Sequence, residues 1–136
     1  SPDLVHCHGW FTSLVPLYLK KAYAEDPLFS DSKVVFSLYN NGFDKPLNPR
    51  MKEKSIIEGV EDDDVNVIED PTYENLMRLS LKHSDAVIEG SNDLPEDIQN
   101  VIKESNKPNL KYQDPEKYIQ EYSVFYDSVL NKAKAK

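Results

Sequence analysis

The chain has 136 residues, of which 39% are hydrophobic and 29% charged, as in ordinary globular domains. This length predicts one domain or part of one, and no stretch approaches the roughly 20 apolar residues of a membrane span. A net charge of −8 argues against nucleic acid as a partner, because neutralising phosphates needs clustered Lys and Arg. The single cysteine, Cys7, cannot form an internal disulfide, which favours a reducing, cytoplasmic location.

Strand and helix patterns alternate along the chain, which predicts an α/β fold with a mostly parallel sheet. The first strand is expected at residues 3–7. The first helix is expected at 10–24, with Pro16 kinking it or moving its start. A continuous apolar run at 33–39 is typical of a strand that is buried on both faces.

Residues 40–70 give a weaker signal, with turn residues, prolines and an acidic run. We expect a long loop excursion containing one short helix near 51–59, and loops of this length are often functional or mobile. The acidic run at 61–64 lacks the ligand spacing, the central Gly and the closing Glu of a calcium loop, so we interpret it as a solvated loop.

The second half repeats one helix-start signal twice. Asp70-Pro71 and Asp114-Pro115 each place a good N-cap residue before a proline at the first helical position. Between these two helices the patterns predict a strand at 85–89, a helix beginning near 94–95 and a short strand at 108–112. The last helix is predicted to carry one broad apolar face, which would invite a protein partner if one domain cannot cover it. This face comprises Tyr118, Ile119, Tyr122, Phe125, Tyr126, Val129 and Leu130.

Residues 6–10, directly after the first strand, are the most informative stretch of the chain. Ligands of open α/β sheets bind outside the carboxyl ends of strands, at such strand-to-helix turns. His6 and His8 should share one face of the strand, with Cys7 on the other. A zinc site is not favoured, because no second pair of ligands is present. A buried Cys7 would be a poor nucleophile, and His6 is best interpreted as a hydrogen-bonded strand-end histidine.

The side chains expected near this turn suit a sugar. An aromatic ring can stack on a pyranose, and amides supply paired donors and acceptors for hydroxyl groups. The residues concerned are Trp10, Tyr39, Asn40 and Asn41. A phosphate-binding loop is not indicated, because the glycines are isolated from one another.

Four segments resemble the bacterial glycogen synthases and plant starch synthases. They are His6-Cys7-His8-Gly9-Trp10, residues 14–20 (LVPLYLK), 26–29 (DPLF) and 34–40 (VVFSLYN). These retaining glucosyltransferases use ADP-glucose and have two Rossmann-like domains that face a cleft. The resemblance is specific over residues 3–40, and thinner through 84–88. It implies that residues 1–136 are the C-terminal portion of the acceptor-side domain, a three-layer Rossmann-like fragment that is half of a two-domain glycosyltransferase.

Two positions depart from the family pattern. The family has His-x-His-Asp-Trp at the first turn, and Gly9 stands in place of the Asp. At the end of the second strand Tyr39 replaces a His that acts near the transferred sugar, so no catalytic residue can be assigned. The substrate-binding residues that the resemblance and the residue chemistry together predict are His8, Trp10, Tyr39, Asn40 and Asn41.

Three hypotheses stay open at this point. The chain is a glycogen or starch synthase-like glycosyltransferase domain that is inactive alone, or a non-catalytic module that binds α-glucan or maltooligosaccharide, or a protein-interaction module. The family's nucleotide-contacting segment would lie upstream, and the donor-binding domain is expected to be absent. No cofactor is expected, since ADP-glucose is the family's donor substrate. Missing upstream strands would leave a sheet edge exposed, which predicts self-association.

Overall fold

A computed structural model describes residues 2–134 and shows a parallel sheet between two helical layers. Within these residues the strands, all parallel and in this spatial order, are β1 (Leu4–His8), β2 (Lys33–Leu38), β3 (Ala86–Glu89) and β4 (Asn109–Leu110). The α-helices are α1 (Val15–Lys20), α2 (Met51–Ser55), α3 (Tyr73–Lys82), α4 (Glu96–Ser105) and α5 (Tyr118–Lys134). Short 3₁₀ helices occupy Trp10–Thr12, Asp62–Asp64 and Asn66–Glu69. The predicted three-layer α/β fold is confirmed.

The two faces of the sheet bury different apolar clusters. Val34 and Phe36 of β2 belong to the larger cluster, with side chains of α1, α3 and α4. Val35 and Ile88 face the opposite way and form a smaller cluster with Val129 of α5. Because side chains alternate along a strand, β2 is buried on both faces, as its apolar run predicts.

The first helix is shorter than the predicted 10–24. The chain forms a 3₁₀ turn at Trp10–Thr12 and only then enters α1. Pro16 lies in the first turn of α1, where its missing N–H group has no intrahelical partner to lose. The proline therefore sets where the helix begins, which is the second of the two effects predicted for it.

The segment 40–70 contains more structure than the loop that was predicted. It holds α2 and two 3₁₀ helices, and the side chains of Val65 and Ile68 are fully buried. The acidic run at 61–64 is a capped turn, in which the N–H of Glu61 donates to the Asp64 carboxylate at 2.9 Å. Asp64 also pairs with Lys21 at 3.3 Å. Interpreting the run as a solvated loop was thus wrong for Asp64.

Both predicted Asp-Pro helix starts lie a few residues too early. The N-cap of α3 is Thr72, whose hydroxyl accepts a hydrogen bond from the Asn75 N–H at 3.1 Å. The carbonyl of Pro71 accepts from the N–H of Leu47 at 2.9 Å, which ties Pro71 to the preceding segment rather than to the helix. Likewise α5 begins at Tyr118, three residues after the second proline.

Only part of the predicted apolar face of α5 packs on the sheet. Val129 is 5% exposed, and Tyr122, Phe125 and Tyr126 are partly buried against the smaller cluster. Ile119 is 72% exposed, so its assignment to the inner face was wrong. None of the helices in residues 2–134 combines the length and the apolar character needed to cross a membrane.

The packing of α5 can be tested with two matched substitutions. Val129→Ala should lower the free energy of unfolding by about 1–2 kcal/mol more than Val124→Ala, because it removes two buried methyl groups. Val124 lies on the same helix but is 60% exposed, so both changes gain the same helix propensity. Urea unfolding measures the difference, and equal effects would show that α5 is not packed on the sheet.

Candidate functional site

The turn after β1 has a backbone conformation that only glycine adopts readily. Gly9 has φ 75° and ψ 171°, a region that costs an L-residue about 1–3 kcal/mol. Its N–H donates to the carbonyl of Ser37 at 3.0 Å, which extends the β1–β2 ladder beyond His8. A Cβ atom at Gly9 would lie 3.8 Å from the nearest ring carbon of Tyr39, so the backbone and not the available space requires glycine.

His8 and Tyr39 meet at the carboxyl edge of the sheet. The Tyr39 hydroxyl lies 2.7 Å from Nδ1 of His8, and His8 is exposed. The ring of Tyr39 lies on Gly90, where any Cβ atom would overlap it. The Tyr39 carbonyl accepts a hydrogen bond from the Tyr73 hydroxyl at 3.1 Å. Tyr39 is therefore fixed at its ring, its hydroxyl and its backbone.

Trp10 begins an aromatic surface beside this pair. Its ring stacks on Phe11 with centroids 4.0 Å apart and meets Phe43 edge-on at 5.2 Å. Phe11 is 83% exposed, so one large aromatic face is open to solvent. Trp10 itself is partly buried and packs on the larger cluster. The exposed stacking surface is thus that of Phe11, a residue that the sequence analysis did not select.

The two predicted asparagines behave differently. The backbone N–H of Asn40 donates to the Ser91 hydroxyl, and its side-chain amide donates to the Asp93 carboxylate, both at 3.0 Å. These bonds join the carboxyl end of β2 to the segment after β3. Asn41 is exposed.

His6 lies beneath His8 on the same face of β1. Its ring stacks on that of His8 with centroids 3.9 Å apart and planes inclined by 26°. Nδ1 lies 2.5 Å from the Tyr126 hydroxyl, and Nε2 lies 2.5 Å from the Ser37 hydroxyl. Burial, together with the charge of His8, lowers the pKa of His6 from 6.5 to about 4. The interpretation of His6 as a hydrogen-bonded strand-end histidine is confirmed.

The sequence analysis did not identify Tyr126 and Ser37 as the hydrogen-bond partners of His6. Ser37 is fully buried in β2. In the sequence it is a single polar residue within an apolar run, which does not mark it as a partner of a histidine. Tyr126 is 120 positions from His6, and no local pattern links the two.

Cys7 points away from the histidines into the larger cluster. It is 4% exposed, and burial raises the pKa of its thiol to about 11. His83 lies at the end of α3, with Nε2 3.4 Å from the carbonyl of Asp64. Within residues 2–134 there is no group of three or more His, Cys, Asp or Glu side chains that could hold a metal ion.

Comparison with known proteins places this arrangement in a family. The model of the starch synthase catalytic domain matches residues 1–107. The chain belongs to this family. The matched region contains every predicted site residue, whereas α5 lies beyond it.

Glycogen synthases of several bacteria are similar in sequence to this chain. The chain is 33% identical to a glycogen synthase of Desulfitobacterium hafniense over 101 residues, which are 73% of this chain and 21% of that protein. It is 32% identical to a glycogen synthase of Photobacterium profundum over 88 residues, 64% of this chain and 17% of that protein. A glycogen synthase of Koribacter versatilis is 48% identical over 42 residues, 31% of this chain and 9% of that protein. The chain thus spans about a fifth or less of these relatives.

The glycine requirement at the turn is testable by a single substitution. Gly9→Ala should lower the free energy of unfolding by about 1–3 kcal/mol, because alanine is strained at positive φ. Asn41→Ala, at an exposed position of the neighbouring turn, should change it by less than about 0.5 kcal/mol. Equal losses in urea unfolding would contradict the backbone argument.

The lowered pKa of His6 predicts a pH dependence of stability. Unfolded His6 binds a proton at its ordinary pKa of 6.5, whereas folded His6 does so only near 4. The unfolded state therefore holds more protons between these values, and the stabilisation by His6 decreases as the pH falls from about 7 to 4.

Urea unfolding of the wild type and His6→Gln across this range measures the effect. We expect the stability difference between the two proteins to shrink as the pH falls. His83, whose pKa burial also lowers, is present in both proteins and cancels. A difference that stays constant from pH 7 to 4 would show that His6 is not held neutral in the fold.

Proposed function

We propose that this chain binds α-1,4-glucan at the carboxyl edge of its sheet and does not by itself transfer glucose from ADP-glucose. The observation that carries the proposal is the position of Tyr39. It occupies the place where the family resemblance expects a histidine near the transferred sugar, and its hydroxyl is bound to His8 at 2.7 Å.

Glucan binding is supported by the groups that converge on this edge. Phe11, stacked on Trp10, offers an exposed aromatic face of the kind that packs on pyranose rings. Asn40 and Asp93 form a fixed amide–carboxylate pair, which presents acceptors to sugar hydroxyls in a defined orientation. Trp10 and Phe11 follow His8 closely in the chain, and Asn40 follows Tyr39, which is bonded to His8.

The residues at positions 9 and 39 disfavour glucose transfer by this chain alone. Gly9 removes the carboxylate that the family pattern has at the first turn, and its positive φ gives the turn a shape that an aspartate would not readily adopt. A phenol at position 39 has a single hydroxyl oxygen and cannot present the two ring nitrogens of an imidazole. Transfer also needs fixed positive groups around the diphosphate leaving group. The groups described at this edge are the His8 imidazole and aromatic, amide and carboxylate side chains.

The identity of the relatives supports a glucan as the ligand class. They are glycogen synthases, and the region they share with this chain carries the proposed site. ADP-glucose as donor comes from the family resemblance, and a cytoplasmic location belongs to the same proposal.

An amide-resolved NMR titration with maltoheptaose, and separately with ADP-glucose, tests both halves of the proposal. Shifts confined to residues 8–11 and 39–42 with maltoheptaose would support a glucan site. Shifts at this edge with ADP-glucose would show that the chain binds the donor. Incorporation of labelled glucose from ADP-glucose into glycogen by the chain alone would overturn the claim that it does not transfer. No response to maltoheptaose at millimolar concentration would overturn the glucan proposal and leave a protein-interaction module.

A matched pair of asparagine substitutions locates the binding site. Asn40→Ala should weaken maltoheptaose binding about two- to tenfold, the effect of losing one hydrogen bond together with the orientation of Asp93. Asn66→Ala is the control, because Asn66 is also exposed and its amide also donates to an aspartate, Asp63, at 3.2 Å. Calorimetric affinities that change equally in both variants would rule out a site at this edge.

A further inference from the structure

Tyr126 of α5 contacts His6, which lies beneath the His8–Tyr39 pair that is proposed to face the glucan. The Tyr126 hydroxyl contacts Nδ1 of His6, and the Ser37 hydroxyl contacts Nε2 on the other side of the ring. Because a hydroxyl group can either donate or accept, both contacts can form in either tautomer, and together they fix the rotation of the ring. His6 is half-buried and cannot exchange these partners freely for water.

The held ring in turn supports His8. The two imidazoles stack at 3.9 Å, and His8 is bound at Nδ1 by the Tyr39 hydroxyl at 2.7 Å. His8 is exposed and so has few other neighbours to restrain its ring. Its orientation thus depends on Tyr39 at one nitrogen and on the face of His6 beneath it.

We infer that Tyr126 is a positioning residue, which acts through His6 to hold His8, and with it the Tyr39 hydroxyl, in the orientation that meets the ligand. Tyr126 lies beyond residues 1–107, so the family match does not account for it. The inference rests on the proposed glucan site for its ligand, but the hydrogen-bonded connection itself can be measured without a ligand.

The geometry also separates Tyr126 from the other tyrosines of its helix. Tyr122 meets His6 only as a tilted ring at 6.1 Å. Tyr118 meets Tyr122 edge-on at 5.6 Å and is 42% exposed. Tyr118→Phe is therefore a matched control for Tyr126→Phe, because it removes the same atom from the same helix without removing a partner of His6.

The test compares the imidazole signals of His8 in long-range ¹H–¹⁵N NMR spectra. Tyr126→Phe keeps its ring, and with it the packing on the sheet, but frees one nitrogen of His6. We expect the ring signals of His6 to shift, because Nδ1 loses its partner, and those of His8 to shift with them. In Tyr118→Phe both should superimpose on the wild type. Ser37→Ala, which frees the other nitrogen of His6, should move the His8 signals as well.

Maltoheptaose affinity provides the second measurement. Tyr126→Phe should weaken binding about two- to tenfold, while Tyr118→Phe should leave it unchanged. His8 signals that stay in place while those of His6 move would overturn the positioning role. If the wild type binds no maltoheptaose, the proposed function fails, and the His8 spectrum alone decides whether Tyr126 positions this pair.

Discussion

Parallel pairing of β1 with β2 is the constraint on which the site depends. The register sets His6 opposite Val35 and His8 opposite Ser37. Because side chains alternate along each strand, this register brings both histidines, the Ser37 hydroxyl and the Tyr39 ring to the face that α5 covers. A slip of one residue would turn the histidines toward the apolar cluster on the opposite face. Burial of that cluster therefore fixes the register of β1 and β2, and with it the positions of the polar side chains.

Tyr39 and two glycines form one steric unit at the edge of this sheet. Gly90 provides the surface on which the ring of Tyr39 lies, and Gly9 supplies a turn whose nearest neighbour is that same ring. The two departures from the family pattern, at positions 9 and 39, are therefore adjacent in space. The large aromatic ring of Tyr39 thus lies beside Gly9, which has no side chain.

Local sequence was sufficient for the strands, and it indicated that Pro16 affects where α1 begins. An apolar run, a proline in a first turn and residues spaced by three and four each report on their immediate neighbours. The helix starts were harder, because Asp70 and Thr72 are both good N-cap residues and the choice depends on a hydrogen bond between Pro71 and distant Leu47. The inner face of α5 was predicted too wide, because Ile119 fits the amphipathic spacing and yet is 72% exposed.

The candidate site also contains residues that the sequence indicates and contacts that only the structure shows. His8, Tyr39 and Asn40 could be selected from the sequence because strand ends of a parallel sheet share one edge. The contacts that hold these residues could not be selected, because Tyr126, Tyr73 and Asp93 come from other elements. Phe11 was not selected from the sequence, and its exposed ring beside Trp10 is seen only in the structure.

Cys7 allows the opening of β1, an edge strand of the sheet, to be measured by chemical labelling. It is the sole thiol of the chain, buried at 4% exposure, with a pKa raised to about 11. Since only a thiolate reacts with an alkylating reagent, the folded state is almost inert at neutral pH, and labelling requires β1 to separate from its neighbours. The rate of Cys7 alkylation thus measures the opening of β1, the strand that carries both histidines.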